Sequence, residues 1–323
     1  MDPASWAVGA VYKTTDHNPS EVLDGEALPP PPSGWRLGPI ARLKMTFRRS
    51  PSLVIGATVL LTLAILAAFA PLLSPYDPVA LNPINRFLPP SSTHWFGTDE
   101  LGRDIWSRSL FGARVSLSTA GLAVLIGMAL GVPLGLISGY FGKWSDAIIM
   151  RYVDVQIAVP GILLAMMIIL FVGRGFFALV VAIGIGSIPN FSRIVRASTL
   201  AIQEEEYVSA VKALGAGHFY TMLRTILPNA MGPIIVQAVI TAAVAVLLEA
   251  SLSFLGLGTV PPTPSWGAML QTGKGYMNEA PHYSIMPGIL LTITIVALDL
   301  VGRGMQRLRG SSASATAELE GRA

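Results

Sequence analysis

Cysteine is absent from this 323-residue chain, so neither a disulfide framework nor a thiolate metal site can form. Charge is scarce as well. Only 13% of residues are charged against 52% hydrophobic, and the mean hydropathy of +0.59 excludes a soluble domain of ordinary composition. The four histidines, His17, His94, His218 and His282, include no pair at the helical spacing that places two imidazoles on one metal. Gly142-Lys143 and Gly273-Lys274 lack both the earlier glycine and the following hydroxyl of a phosphate loop, so the chain has no means of hydrolysing ATP itself. A Gly-x-Ser-x-Gly elbow and a matched aspartate pair are also missing, which argues against an intramembrane protease or acyltransferase.

Long apolar runs are what the sequence does have. Six stretches are long enough to cross roughly 30 Å of hydrocarbon as helices: residues 53–73, 115–140, 148–172, 176–189, 231–256 and 283–300. Arg36, Arg42, Lys44, Arg48 and Arg49 precede the first, and Arg303, Arg307 and Arg309 follow the last. The positive-inside bias then places both ends in the cytoplasm, and the same clusters could otherwise bind nucleic acid, a reading their closeness to anionic lipid disfavours. Residues 1–35 are polar, carry acids and include the proline run 29–32. They read as a disordered tail, not a cleavable signal peptide, and a proline-rich docking segment is the alternative.

The expected organisation is all-α: a cytoplasmic tail at 1–50, a first transmembrane helix at 51–75, an external loop at 76–112, a five-helix core at 113–303 and a cytoplasmic tail at 304–323. Within the core, a polar cytoplasmic segment of about forty residues, 190–229, separates the fourth and fifth spans. Gly127, Gly131, Gly135 and Gly139 recur at every fourth position, a face that permits close helix packing, and Pro133 should kink the same helix. Three acids need partners in the membrane. Asp154 lies near Arg151 and suggests an ion pair, Glu249 suggests either a polar pathway lining or a helix-bridging hydrogen bond, and Asp299 can pair with Arg303 one turn on.

The polar segment reads QEEEYVSAVKALGAGHFYTMLRTILPNAMGPII from Gln203. Its acids favour a helix start near Glu204, and Gly215 is placed to end that helix. A second run, 218–227, should stop at Pro228. Two short helices joined at a glycine suit insertion into a groove on another protein.

YVSAVKALGA followed by LPN resembles the coupling loop, or EAA loop, of ABC importer permeases. HWFGTDELGRDIWSRSLFGARVSL at 94–117 and LLEASLSFLGLGTVPPTPSWGAML at 247–270 resemble the dipeptide, oligopeptide and nickel branch, in particular the C-type permease that pairs with a related B-type permease. The resemblance covers roughly 53–303. It departs at Ser209 and Val211, where a glutamate and an alanine often stand.

The resemblance implies a type I importer permease fold with six transmembrane helices in the bacterial inner membrane. Its partners are a second permease, two ATP-binding subunits that carry ATP and magnesium, and an extracytoplasmic substrate-binding protein, with no cofactor in this chain. Coupling to the ATPases falls to Glu206, Tyr207, Ala210, Leu214, Gly215 and Ala216. The external loop, with Asp99, Glu100, Arg103 and Asp104, either meets the binding protein, braces an outer gate or is a solvated connector. The implied cargo is di- or oligopeptide, with a nickel chelate or other small solute as the alternative. A gradient-driven secondary transporter is the rival, resting on Asp154 and Glu249, but its customary internal repeat is missing.

Overall fold

The computed structural model describes residues 50–320, with side chains through Leu308. The expected N-terminal tail, its proline run and the basic cluster ahead of the first span lie outside the described residues. Among the described residues the secondary structure is helical: α1 (Pro51–Ala68), α2 (Ala70–Leu73), α3 (Ile105–Phe141), α4 (Lys143–Ala158), α5 (Gly161–Val172), α6 (Phe176–Gln203), α7 (Glu206–Ala213), α8 (His218–Tyr220), a π-helical turn (Thr221–Ile226), α9 (Leu227–Phe254), α10 (Trp266–Gly273) and α11 (His282–Glu320). Five of these segments are long and apolar enough to cross a membrane, and a sixth span is obtained by joining α4 and α5.

The expected third span, 148–172, is broken. α4 and α5 meet at 92° because Pro160 disfavours helical geometry at Val159, which is extended at φ −89°, ψ 123°. Two other prolines behave differently from the sequence expectation. Pro189, placed at the end of the fourth span, lies inside α6, which runs on to Gln203. The carbonyl that Pro189 leaves without its helical donor is Ile185 O, and Gln156 Nε2 donates to it at 2.6 Å. Pro228, expected to stop a helix, sits where the π-helical turn passes into α9, and the helix runs on through it from His218 to Phe254. Pro133 lies inside α3, which is assigned as one helix from Ile105 to Phe141. The polar segment between the long helices is therefore much shorter than 190–229, because α6 enters it from one side and the π turn and α9 from the other.

α3 is the axis of the bundle, 37 residues or about 55 Å long. It runs parallel to α6, and its glycine face forms the seam. A Cβ on Gly131 would lie 2.7 Å from Phe191 Cβ and 2.8 Å from Ile188 O, and one on Gly135 would lie 2.6 Å from Ser192 O. Only hydrogen lets the two backbones approach this closely, and in lipid that packing drives association in place of the hydrophobic effect. Ala120, Ala123, Ala165, Leu179, Ile183 and Val246 continue the core between α3, α5, α6 and α9.

α1 and α11 pack antiparallel, with Ser50 Oγ donating to Gly304 O at 3.2 Å. The N-terminal end of α1, the C-terminal end of α3 and segment 204–217 thus share one end of the bundle. The loop 74–104 and α10 occupy the opposite end, where Ala67, Ala113 and Trp266 pack together.

Candidate functional site

α7 projects from the bundle at the first of these ends. Glu206 in its opening turn complements the helix dipole, and Val208 is its one buried residue. Its C-terminus closes with Gly215 N donating to Lys212 O at 3.0 Å and Ala216 N to Val211 O at 3.3 Å. This is the Schellman pattern, with the glycine at φ +85°. Glu206, Tyr207, Ala210, Leu214 and Gly215 are all exposed and Ala216 is half-buried, so the structure brings the six expected coupling residues onto one projecting segment. Leu214 is 88% exposed, Phe219 73% and Tyr220 57%. A polar connector has no reason to present large apolar side chains to water, whereas a docking surface does.

Sequence reasoning missed the residues that hold this segment in place. Tyr140, near the end of α3, hydrogen-bonds His218 Nδ1 at 2.9 Å, lies 5.2 Å beneath the Lys212 ammonium and accepts at its carbonyl from Gln203 Nε2 at 3.3 Å. Beside it, Arg196 makes a two-pronged ion pair with Asp146 at 2.5 and 2.6 Å, and Ser138 donates to the same carboxylate at 2.5 Å. Arg–carboxylate forks of this kind fix orientation as well as distance, and here the fork ties α4 to α6. These partners are too far apart in sequence for any local pattern to reveal them.

At the opposite end Asp99, Arg103 and Asp104 are buried, and the loop is not a solvated connector. Asp99 Oδ2 accepts from Arg103 Nε at 2.7 Å and lies 3.3 Å from Arg108 Nε. Its Oδ1 accepts from the backbone N–H groups of Leu101 and Arg103 at 2.9 Å each. Arg103 also reaches Glu100 at 2.8 Å, and Arg108 donates to Pro78 O at 2.9 Å. Asp104 caps α3 through Ser107 N at 2.8 Å and pairs with His94 Nδ1 at 2.9 Å. Every charge in this cluster faces an opposite charge or a dipole, as burial demands. Among the side chains the loop exposes are the large apolar ones of Trp95 and Leu101.

Glu249 is fully buried. Ser116 on α3 and Ser253 on α9 donate to its two oxygens at 2.7 and 2.8 Å, so the side chain bridges helices 133 residues apart in sequence. Glu249→Ala removes both acceptors and opens a cavity, a loss of about 2–4 kcal/mol, whereas Glu249→Gln keeps one acceptor and loses about 1 kcal/mol. Thermal unfolding of the detergent-solubilised variants should follow that order. Equal unfolding temperatures for all three forms would contradict the bridging role.

Asp154 pairs with Arg193 on α6 at 2.6 Å, not with Arg151 as its sequence neighbourhood suggests, because one face of α4 turns toward α6. Asp299 and Arg303 pair along α11 at 2.8 Å as expected.

The structure is thus a multi-helix bundle of membrane-spanning length with an exposed segment at one end and a charge-braced loop at the other. Residues 131–310 match the binding-protein-dependent transport system inner membrane component family, and residues 40–90 match the N-terminal TM domain of oligopeptide transport permease C. The chain belongs to this family of ABC transporter permeases and is a multi-pass protein of the bacterial cytoplasmic membrane.

The glutathione transport system permease protein GsiD of Pectobacterium atrosepticum is 42% identical over 260 residues, covering 80% of this chain and 86% of the relative. The dipeptide transport system permease protein DppC of Alkalihalophilus pseudofirmus is 35% identical over 294 residues, covering 91% of this chain and 97% of the relative. A solved chain of the MetNI methionine ABC transporter in an inward facing conformation shares the fold, with a TM-score of 0.50 at 23% identity over 60% of this chain and 93% of that one.

Proposed function

We propose that this chain is one of two related permeases forming the translocation pathway of an ATP-driven importer of short peptides, delivered by an extracytoplasmic binding protein. Both termini and segment 204–220 face the cytoplasm in this reading, where two partner ATPases receive α7 and α8 in surface grooves. The observation that carries it is the cluster of exposed Tyr207, Leu214, Phe219 and Tyr220 around a glycine-capped helix, an apolar surface suited to a groove on another protein. Nucleotide-driven closure of the ATPases displaces this segment, and the packed helices tilt between inward- and outward-facing arrangements, a coupling of two sites through discrete states.

Peptide cargo is supported by the two relatives named for glutathione and dipeptide transport, both compounds with amide bonds and a free carboxylate. The binding protein does most of the selecting. Asp99, Arg103 and Asp104 act as braces for the outer loop, and exposed Trp95 and Leu101 supply its contact surface for the binding protein.

Purification of the tagged chain from its native membrane in mild detergent tests this assignment, with co-purifying proteins identified by mass spectrometry. Recovery of a second permease and ATPases with phosphate loops is expected, followed by ATP-dependent uptake of labelled dipeptide or glutathione by the reconstituted complex. A chain recovered alone, with uptake abolished by a protonophore at constant ATP, would point to a gradient-driven carrier.

A further inference from the structure

Gln203, Lys212 and His218 stand at the entry, the middle and the exit of the projecting segment, and all three contact one residue of the bundle, Tyr140. That residue is 9% exposed and sits one position from the end of α3. Besides its chain continuity with α6 and α9, the segment has few buried side chains: Val208 is the buried residue of α7, and α8 buries none. A force applied to Leu214 or Phe219 therefore has a short route into the membrane, through the phenol, its ring face and its carbonyl.

α3 is suited to carry that displacement onward. It is continuous over 37 residues and keyed to α6 by glycines in backbone contact. The Asp146–Arg196 fork and the Ser138 bond to Asp146 further lock the neighbouring helices, so α3 and α6 move together or not at all. At its far end α3 carries Asp104, which holds His94, and Arg108, which holds Asp99 and Pro78, while Ser116 and Ser109 O engage Glu249 and Trp266. Small displacements in tightly packed interiors propagate as rigid-body shifts because such packing does not deform continuously.

We infer that Tyr140 is the positioning residue through which movement of segment 203–220 enters the bundle, with the Tyr140–His218 hydrogen bond as the latch and α3 as the rod that delivers the movement to the outer loop. The inference rests on the importer reading above, and it assigns Tyr140 no contact with cargo or nucleotide.

Its test uses the complete complex, two permeases with ATPases and binding protein, reconstituted in proteoliposomes. ATPase content, ATP hydrolysis and uptake of labelled dipeptide are measured for wild type, Tyr140→Phe, His218→Ala and His218→Asn. The latch predicts that Tyr140→Phe retains its ATPases and hydrolyses ATP at close to the wild-type rate, while peptide imported per ATP falls by about five-fold or more, and that His218→Ala lowers peptide imported per ATP hydrolysed by the same factor. His218→Asn, whose side chain can place a hydrogen-bonding atom near the position of Nδ1, restores most of that ratio. An unchanged ratio in both Tyr140→Phe and His218→Ala overturns the latch while leaving the importer assignment intact. Loss of ATPases and uptake together, without rescue by asparagine, makes Tyr140 a packing residue only. A wild-type complex that neither retains ATPases nor imports peptide contradicts the importer assignment itself.

Discussion

Gly215→Val is expected to weaken ATPase attachment and transport severely while leaving the membrane bundle folded. Space is not the limitation, since a Cβ at Gly215 meets nothing within 4 Å. The backbone is: φ is +85°, a region that costs an L-residue about 1–2 kcal/mol and a β-branched residue more. Valine therefore opposes the pair of hydrogen bonds from Gly215 and Ala216 that closes α7, and the chain leaves the helix in another direction. Leu214 and Phe219, on either side of that turn, then no longer present one surface. The expected result is normal expression and an unchanged unfolding temperature in detergent, with co-purified ATPase and peptide uptake reduced at least about ten-fold, the equivalent of roughly 1.4 kcal/mol in docking. Gly215→Asn, which tolerates the left-handed region better, should fall between valine and wild type.

Gly131→Val produces the opposite pattern, a protein that fails to fold. Here φ is ordinary and space is the limitation. The added Cβ would stand 2.7 Å from Phe191 Cβ and 2.8 Å from Ile188 O, and a backbone carbonyl cannot rotate aside as a flexible side chain can. Either α3 and α6 separate along the seam or one of them bends, and overpacking of this kind costs about 1–3 kcal/mol or more. With similarly close approaches at Gly127, Gly135 and Gly139, parting at one position loosens the rest. Gly131→Ala should already lower the unfolding temperature, and Gly131→Val should leave little protein in the membrane fraction. Gly121→Ala, on the same helix with nothing within 4 Å of its Cβ, is the neutral control. Equal yields for the alanine variants at 121 and 131 would contradict the seam.

Much of this arrangement is legible in the sequence, and the boundary of legibility has physical causes. Charge-free runs locate the spans, because lipid leaves the backbone no other partner than its own helix. The glycine spacing announces a packing face, and the acids before Tyr207 with Gly215 beyond mark the ends of a short helix. Prolines mislead when read locally. Pro160 breaks its helix, yet Pro189 does not, because Gln156 arrives from another helix to satisfy the carbonyl that Pro189 strands. Asp154 has Arg151 beside it in sequence but Arg193 beside it in space. The sequence leaves open whether the charged residues of the 94–108 segment are contacts, braces or a wetted surface, and Asp99, Arg103 and Asp104 are buried, since each finds its partners within that segment. Tyr140 and His218 are separated by 78 residues, and neither has a sequence feature that points to the other.

The absence of cysteine permits a direct test of docking. Single cysteines at Leu214, at Phe219 and, as a control, at Ile84 in the loop at the opposite end, 94% exposed, each give this chain one thiol at a known position. Crosslinking in native membranes, with adducts identified by mass spectrometry, should join positions 214 and 219 to an ATPase subunit and should give no ATPase adduct at position 84. An ATPase adduct at position 84, or a binding-protein adduct at 214 and 219, would invert the proposed orientation and contradict the assignment of segment 204–220 as the coupling surface.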